Sequence, residues 1–187
     1  MDNLLLNITD DNQQPQETLL TNYNENQNKL SYLDALKKQY ELEEHNSRLY
    51  KQFAIWLKTN KYKSYSVWEK YSNEEQSHAN KILDFFIINN ISFMLPQISE
   101  IVNNPSSLYD VINLTYQAEM DNMCNLKAMY SAVKNTIESN HDMYLLRLCE
   151  DMIIEQNEEI NKALSLVDIS TRTGDLLHLD EYISNNY

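Results

Sequence analysis

Four long runs in which large apolar residues recur at three- and four-residue steps, over roughly 29–59, 63–89, 107–138 and 142–167, constrain this chain more than any other feature. Each run covers about 26 to 32 residues, which as α-helix is near 40 Å or more at about 1.5 Å per residue. A single glycine and three prolines leave little from which to build tight β-turns. The predicted class is therefore all-α, and 187 residues suffice for one domain with a core that needs no disulfide or structural metal. Helices of matched length pack as a four-helix bundle. Only a few residues around Asn60 join the first pair, and a short polar turn near Asn140 joins the last pair, so each pair must run antiparallel. The middle link differs. Residues 90–106, broken by Pro96 and Pro105, are long enough to run the length of the bundle. The second and third helices are then parallel, joined by one long crossover. A short fifth helix is expected near 175–184, after Gly174.

Residues 1–28 are rich in Asn, Gln, Asp and Glu and read as a flexible polar extension, with the bundle domain spanning 29–187. Acidic residues outnumber basic ones, 28 to 15, for a net charge of −13. That balance argues against a nucleic-acid or anionic-membrane partner and suits a protein that attracts cations. Cys124 and Cys149 share no CxxC spacing, so a disulfide framework is not expected and a reducing cytoplasm fits. No run has the uninterrupted apolar length of a membrane span, and Leu4-Leu5-Leu6 is too short for a signal peptide.

The polar residues on the core stripes carry the chemistry. The first helix reads Leu33, Leu36, Tyr40, Glu43, Ser47, Tyr50, Ala54, Leu57; the second reads Val67, Tyr71, Glu75, His78, Ile82, Phe85. Glu75 and His78 thus share an inward face at the i, i+3 spacing of Glu-x-x-His in di-iron bundles. On the third helix Glu119 interrupts Leu108, Ile112, Thr115, Met123, Leu126, Tyr130 and Val133. The fourth reads Cys149, Met152, Gln156, Glu159 or Ile160, Ala163, Val167, flanked by Glu155 and Glu158. A lone Glu on such a stripe is more often a snorkelling side chain than a ligand. Four interruptions at one depth, with no Lys or Arg on any stripe, are another matter: burying them uncompensated costs several kcal/mol, about 2–7 per polar group, or forces protonation. Bound cations resolve the conflict. Oxygen-rich ligands with one imidazole suit iron, or manganese, and not a thiolate zinc site. Tyr50, one of thirteen tyrosines, reads as core packing with a phenol able to reach a ligand carboxylate. His45, His141 and His178 have no partnered spacing and read as surface or cap residues.

Ordered blocks of residues reinforce this. They are Glu43 with Leu49-Tyr50 and Trp56, Asn73-Glu74-Glu75-Gln76-Ser77-His78-Ala79, Leu95-Pro96, and Thr115-Tyr116-Gln117-Ala118-Glu119. Glu155-Gln156-Asn157-Glu158-Glu159 and Gly174-Asp175-Leu176-Leu177 through Asp180-Glu181 complete them. Over about 30–183 the chain resembles the ferritin family, specifically its non-haem bacterial-type members, and so a ferritin-like bundle. The resemblance implies that Glu43, Glu75 and His78 hold one iron and that Glu75, Glu119 and Gln156 serve a second, with Glu75 bridging. It implies a third iron position at Glu74, Glu155, Glu158 and Glu159. It further implies Fe(II) oxidation by O2 or peroxide, with Tyr50 positioning a ligand or donating an electron, and Fe(III) mineral stored in a homo-oligomeric cage of 24 subunits. Haem is not expected, because Gln76 stands where the related bacterioferritins carry a haem-ligating methionine. Two other readings keep the bundle: a di-iron oxidase, peroxidase or encapsulated ferritin-like protein without its own cage, and a metal-free helical interaction protein.

Overall fold

The computed structural model describes residues 31–102, 104–140 and 143–187. The extension expected over residues 1–28 lies outside them, as does His141. The described residues form five helices: α1 (Tyr32–Thr59), α2 (Tyr65–Ile88), α3 (Leu108–Asn140), α4 (Met143–Arg172) and the short α5 (Leu176–Asn186). Among them there is no strand. The all-α class, the four long helices and the terminal fifth match the sequence expectation.

Local chemistry sets the helix ends. α1 begins three residues later than periodicity predicts, because Ser31 serves as N-cap and its hydroxyl accepts the Asp34 amide at 3.1 Å. α4 runs five residues further than predicted. Its inward stripe continues through Leu166, rather than Val167, to the buried Ser170, and Arg172 pairs with Asp168 one turn back at 2.7 Å. α1 and α2 both end in Schellman motifs without glycine. Lys61 (φ 67°) and Asn90 (φ 53°) take the left-handed position, and the amides of Tyr62 and Ile91 reach back to the carbonyls of Leu57 and Phe86.

Side-chain pairings fix the topology. Trp68 donates to Thr115 at 2.8 Å, and further along both helices Glu75 lies beside Glu119, so α2 and α3 run the same way. The crossover over 89–107 makes that possible. Apolar side chains fill the bundle as two separate plugs. One is built around Tyr50, Phe53, Leu57, Trp68, Ile112 and Leu166, the other around Leu36, Ile82, Phe85, Leu126, Met129 and Cys149. Between them, on every long helix, lie the polar stripe residues.

α5 closes the first plug with Leu179 and Ile183. Asp180 anchors it: buried, its carboxylate accepts the amides of Lys63 and Ser64 in the α1–α2 turn at 2.8 and 2.9 Å. Asp180→Ala strands those two donors, and the expected loss is about 1–3 kcal/mol of stability. Thermal unfolding followed by circular dichroism checks this, at roughly 2–4 °C per kcal/mol for a chain of this size.

Candidate metal centre

Four helices each deliver a polar side chain to the layer between the plugs because each stripe changes character near its midpoint. Glu43, Glu75, Glu119 and Gln156 are no more than 3% exposed, and His78 is 8% exposed. Glu43, Glu75 and His78 bring one ligand atom each within 4.8 Å of one another, and Glu75, Glu119 and Glu159 do the same. Glu75 belongs to both groups. His78 turns Nδ1 toward Oε2 of Glu43 and of Glu75, 3.9 Å from each, and Nε2 toward α4, 3.3 Å from Glu155 and 3.9 Å from Glu159.

Burial drives every one of these carboxyls upward. Glu43 is raised well above the usual carboxylate range by desolvation and then by the neighbouring charge of Glu75. Glu75 is raised by desolvation, opposed by a hydrogen bond with Glu43 and reinforced by the charges of Glu119 and Glu159. Desolvation raises Glu119 too, against hydrogen bonds from Tyr50 and Gln156. Glu159 is pushed to about 8 by desolvation and then by Glu119. The Tyr50 phenol, itself pushed well up by burial, donates to Glu119. Oε2 of Glu75 and Oε2 of Glu159 are buried with no hydrogen-bond donor at all. Two orphaned carboxylate oxygens in two overlapping groups are the signature of a site that fits hard cations, and a donor set of oxygens with one imidazole fits iron.

A strap of three buried amides crosses the layer. Gln39 Nε2 donates to Glu43 Oε1 at 2.7 Å and to Asn122 Oδ1 at 2.5 Å; Asn122 Nδ2 donates to Gln156 Oε1 at 2.7 Å and to Glu43 Oε2 at 3.3 Å. Gln156 Nε2 in turn donates to Glu119 Oε2 at 2.6 Å and to its carbonyl at 3.1 Å. Neutral donors thus orient Glu43 and Glu119 without bringing in a positive charge that would repel a cation. Sequence reading missed Gln39 and Asn122. Their only signal is spacing, one turn before Glu43 and one turn after Glu119.

The positions of the α4 residues are specific. Gln156 lies in the layer, where its oxygen accepts from Asn122 and its nitrogen donates to Glu119. Glu159, expected at the third position, instead joins Glu75 and Glu119. Glu74, Glu155 and Glu158 stay at the rim: Glu158 is exposed, Glu74 lies 3.9 Å from Lys70, and Glu155 pairs with Lys81. Gln76, next to Glu75 in sequence, donates to Glu44 at 2.7 Å. His45 is half-buried on α1 and His178 is exposed.

No protein-family model and no curated protein matches the sequence. The fold does match solved structures. One is the open pore ferritin of the hyperthermophilic archaeon Archaeoglobus fulgidus, with TM-score 0.74 and 22% identity over 83% of this chain and 97% of that one. Two others are variants of PmFTN soaked in iron. One, soaked overnight, gives TM-score 0.70 and 25% identity over 79% and 94% of the two chains. The other, soaked for 5 min, gives 0.72 and 25% over 81% and 98%. At such identities the likeness shows the ferritin fold.

A carboxyl whose pKa the fold raises contributes stability that fades as it ionises. Because Glu159 moves from its ordinary 4.5 to about 8, with Glu43, Glu75 and Glu119 shifted the same way, metal-free protein is expected to lose stability as pH rises from about 4.5 to 8. Thermal melts across that range test this. Added divalent cation should reverse the trend and release protons, measurable by calorimetry in buffers of different ionisation enthalpy.

Proposed function

We propose that this chain is an iron-storage ferritin with ferroxidase activity, of the non-haem bacterial type. Fe(II) is the substrate. Glu43, Glu75 and His78 hold one ion; Glu75, Glu119 and Glu159 hold the second, with Glu75 shared and Gln156 and Tyr50 orienting Glu119. The observation that carries this reading is the pair of orphaned oxygens on Glu75 and Glu159, in a layer where no lysine or arginine is buried among the described residues.

The chemistry follows from the ligands. Charged oxygens favour Fe(III) over Fe(II), which lowers the cost of losing an electron. Two Fe(II) ions give one electron each to O2, which takes up two protons and leaves as hydrogen peroxide; with peroxide as oxidant, two Fe(II) ions give it one electron each and two protons complete two waters. Carboxyls that release protons when cations bind are well placed to supply them. Glu74, Glu155 and Glu158 line the rim as a third position through which Fe(III) passes toward mineral. The mineral is stored in a homo-oligomeric cage, 24 subunits by resemblance, in the cytoplasm. No described helix is long and apolar enough to cross a membrane.

Anaerobic loading with two Fe(II) per subunit followed by O2 tests the centre. The native chain should form ferric product in a fast phase, and Glu75→Ala and His78→Ala should slow it by about 10–100-fold, with helicity checked by circular dichroism. Equal rates in all three sink the assignment. Gel filtration separates storage from the oxidase reading: a large hollow particle supports a cage, and a dimer or small ring supports the oxidase.

A further inference from the structure

Resting on the iron-oxidising reading above, a further role falls to Lys81. Glu155 stands on α4 at the outer edge of the polar layer and faces two partners at once: its Oε2 lies 3.3 Å from His78 Nε2 and 2.5 Å from Lys81 Nζ. A carboxylate against Nε2 favours the tautomer that keeps the Nδ1 lone pair free, and Nδ1 is the nitrogen turned toward Glu43 and Glu75. Lys81 therefore steadies the residue that orients the imidazole. Both ends of the ion pair are partly exposed, 38% for Lys81 and 44% for Glu155, and pairs so placed hold weakly and exchange readily.

Outside this pair a cleft of about 460 Å3 opens between α2 and α4, lined by Lys81, Asp84, Arg147, Asp151 and Glu155. Arg147 is tied to Asp151 at 3.0 Å. Asp84, one turn beyond Lys81 on α2, makes no ion pair among the described residues. Lys81 thus has two carboxylates within reach, Glu155 across the cleft and Asp84 along its own helix.

We propose that Lys81 is a latch on the cleft. Seated on Glu155, it keeps that carboxylate on His78 while the centre fills; moved to Asp84, it frees Glu155 to receive a hard multivalent cation leaving the centre through the cleft. The exchange breaks one ion pair and forms another, with no bond made and no electron moved. Lys81 is a positioning residue here, acting through Glu155.

Two measurements on the intact protein test it, with Lys81→Met, Lys81→Arg and Asp84→Asn. Titration with Co(II), which is not oxidised under these conditions, reads the third cation per subunit. Lys81→Met should tighten it by about three- to fivefold, the scale of an exposed ion pair, and Lys81→Arg should stay near native. Two successive Fe(II) additions read how fast the centre clears: relative to the first burst, recovery should shorten by a similar factor in Lys81→Met and lengthen in Asp84→Asn. Native third-site affinity and native recovery in Lys81→Met would overturn the latch, as would an arginine variant that behaves like the methionine one. The Co(II) titration needs no oxidation, so a chain without a fast ferric phase would sink the iron-oxidising reading while the latch was still judged on cation binding.

Discussion

Everything in this molecule is arranged around the cost of keeping four carboxyl groups away from water. Glu43, Glu75, Glu119 and Glu159 converge in a layer sealed above and below by apolar plugs, and among the described residues no lysine or arginine is buried with them. Bundles do not need such a layer to fold; continuous apolar stripes pack better. The four like charges therefore make sense as the fixed half of an electrostatic pair whose mobile half is a cation. The helices must be long, straight and in register for the charges to meet at one depth. That is what the crossover and the Asp180 anchor secure at the turn end of the bundle.

The neutral amides matter as much as the charges. Gln39, Asn122 and Gln156 fix carboxylate orientation through dipoles, which add no positive charge to the layer. A lysine or arginine in the same positions would satisfy the same oxygens and cancel the attraction. Lys70 and Lys81 stand outside the layer, each against a rim carboxylate.

Much of this was legible in the sequence, and the limits have physical reasons. Four stripes of period 3.6 gave the helices, and Glu75-x-x-His78 gave an inward pair, since both depend only on spacing along one helix. Glu159 against Gln156 was not decidable that way. They sit one turn apart on the same face, and only the rotation of α4 relative to α2 and α3 decides which oxygen reaches Glu75. Asn122 and Gln39 were invisible for a different reason: in a chain crowded with Asn and Gln, a buried amide looks like a surface one until its partners are known. Helix ends were misjudged where capping overrode periodicity, at Ser31, or where the stripe drifted, from Val167 to Leu166.

Sharing Glu75 between the two groups carries a thermodynamic consequence. On the proposed reading, an ion on either side would draw on the charge of the same carboxylate, so two ions would not load as independent events. With both groups filled, Glu75 would tie α2 to α1, α3 and α4 in the polar layer between the two apolar plugs. Loading and unloading would then be felt mechanically, as a stiffening and loosening of the midsection that leaves both ends unchanged.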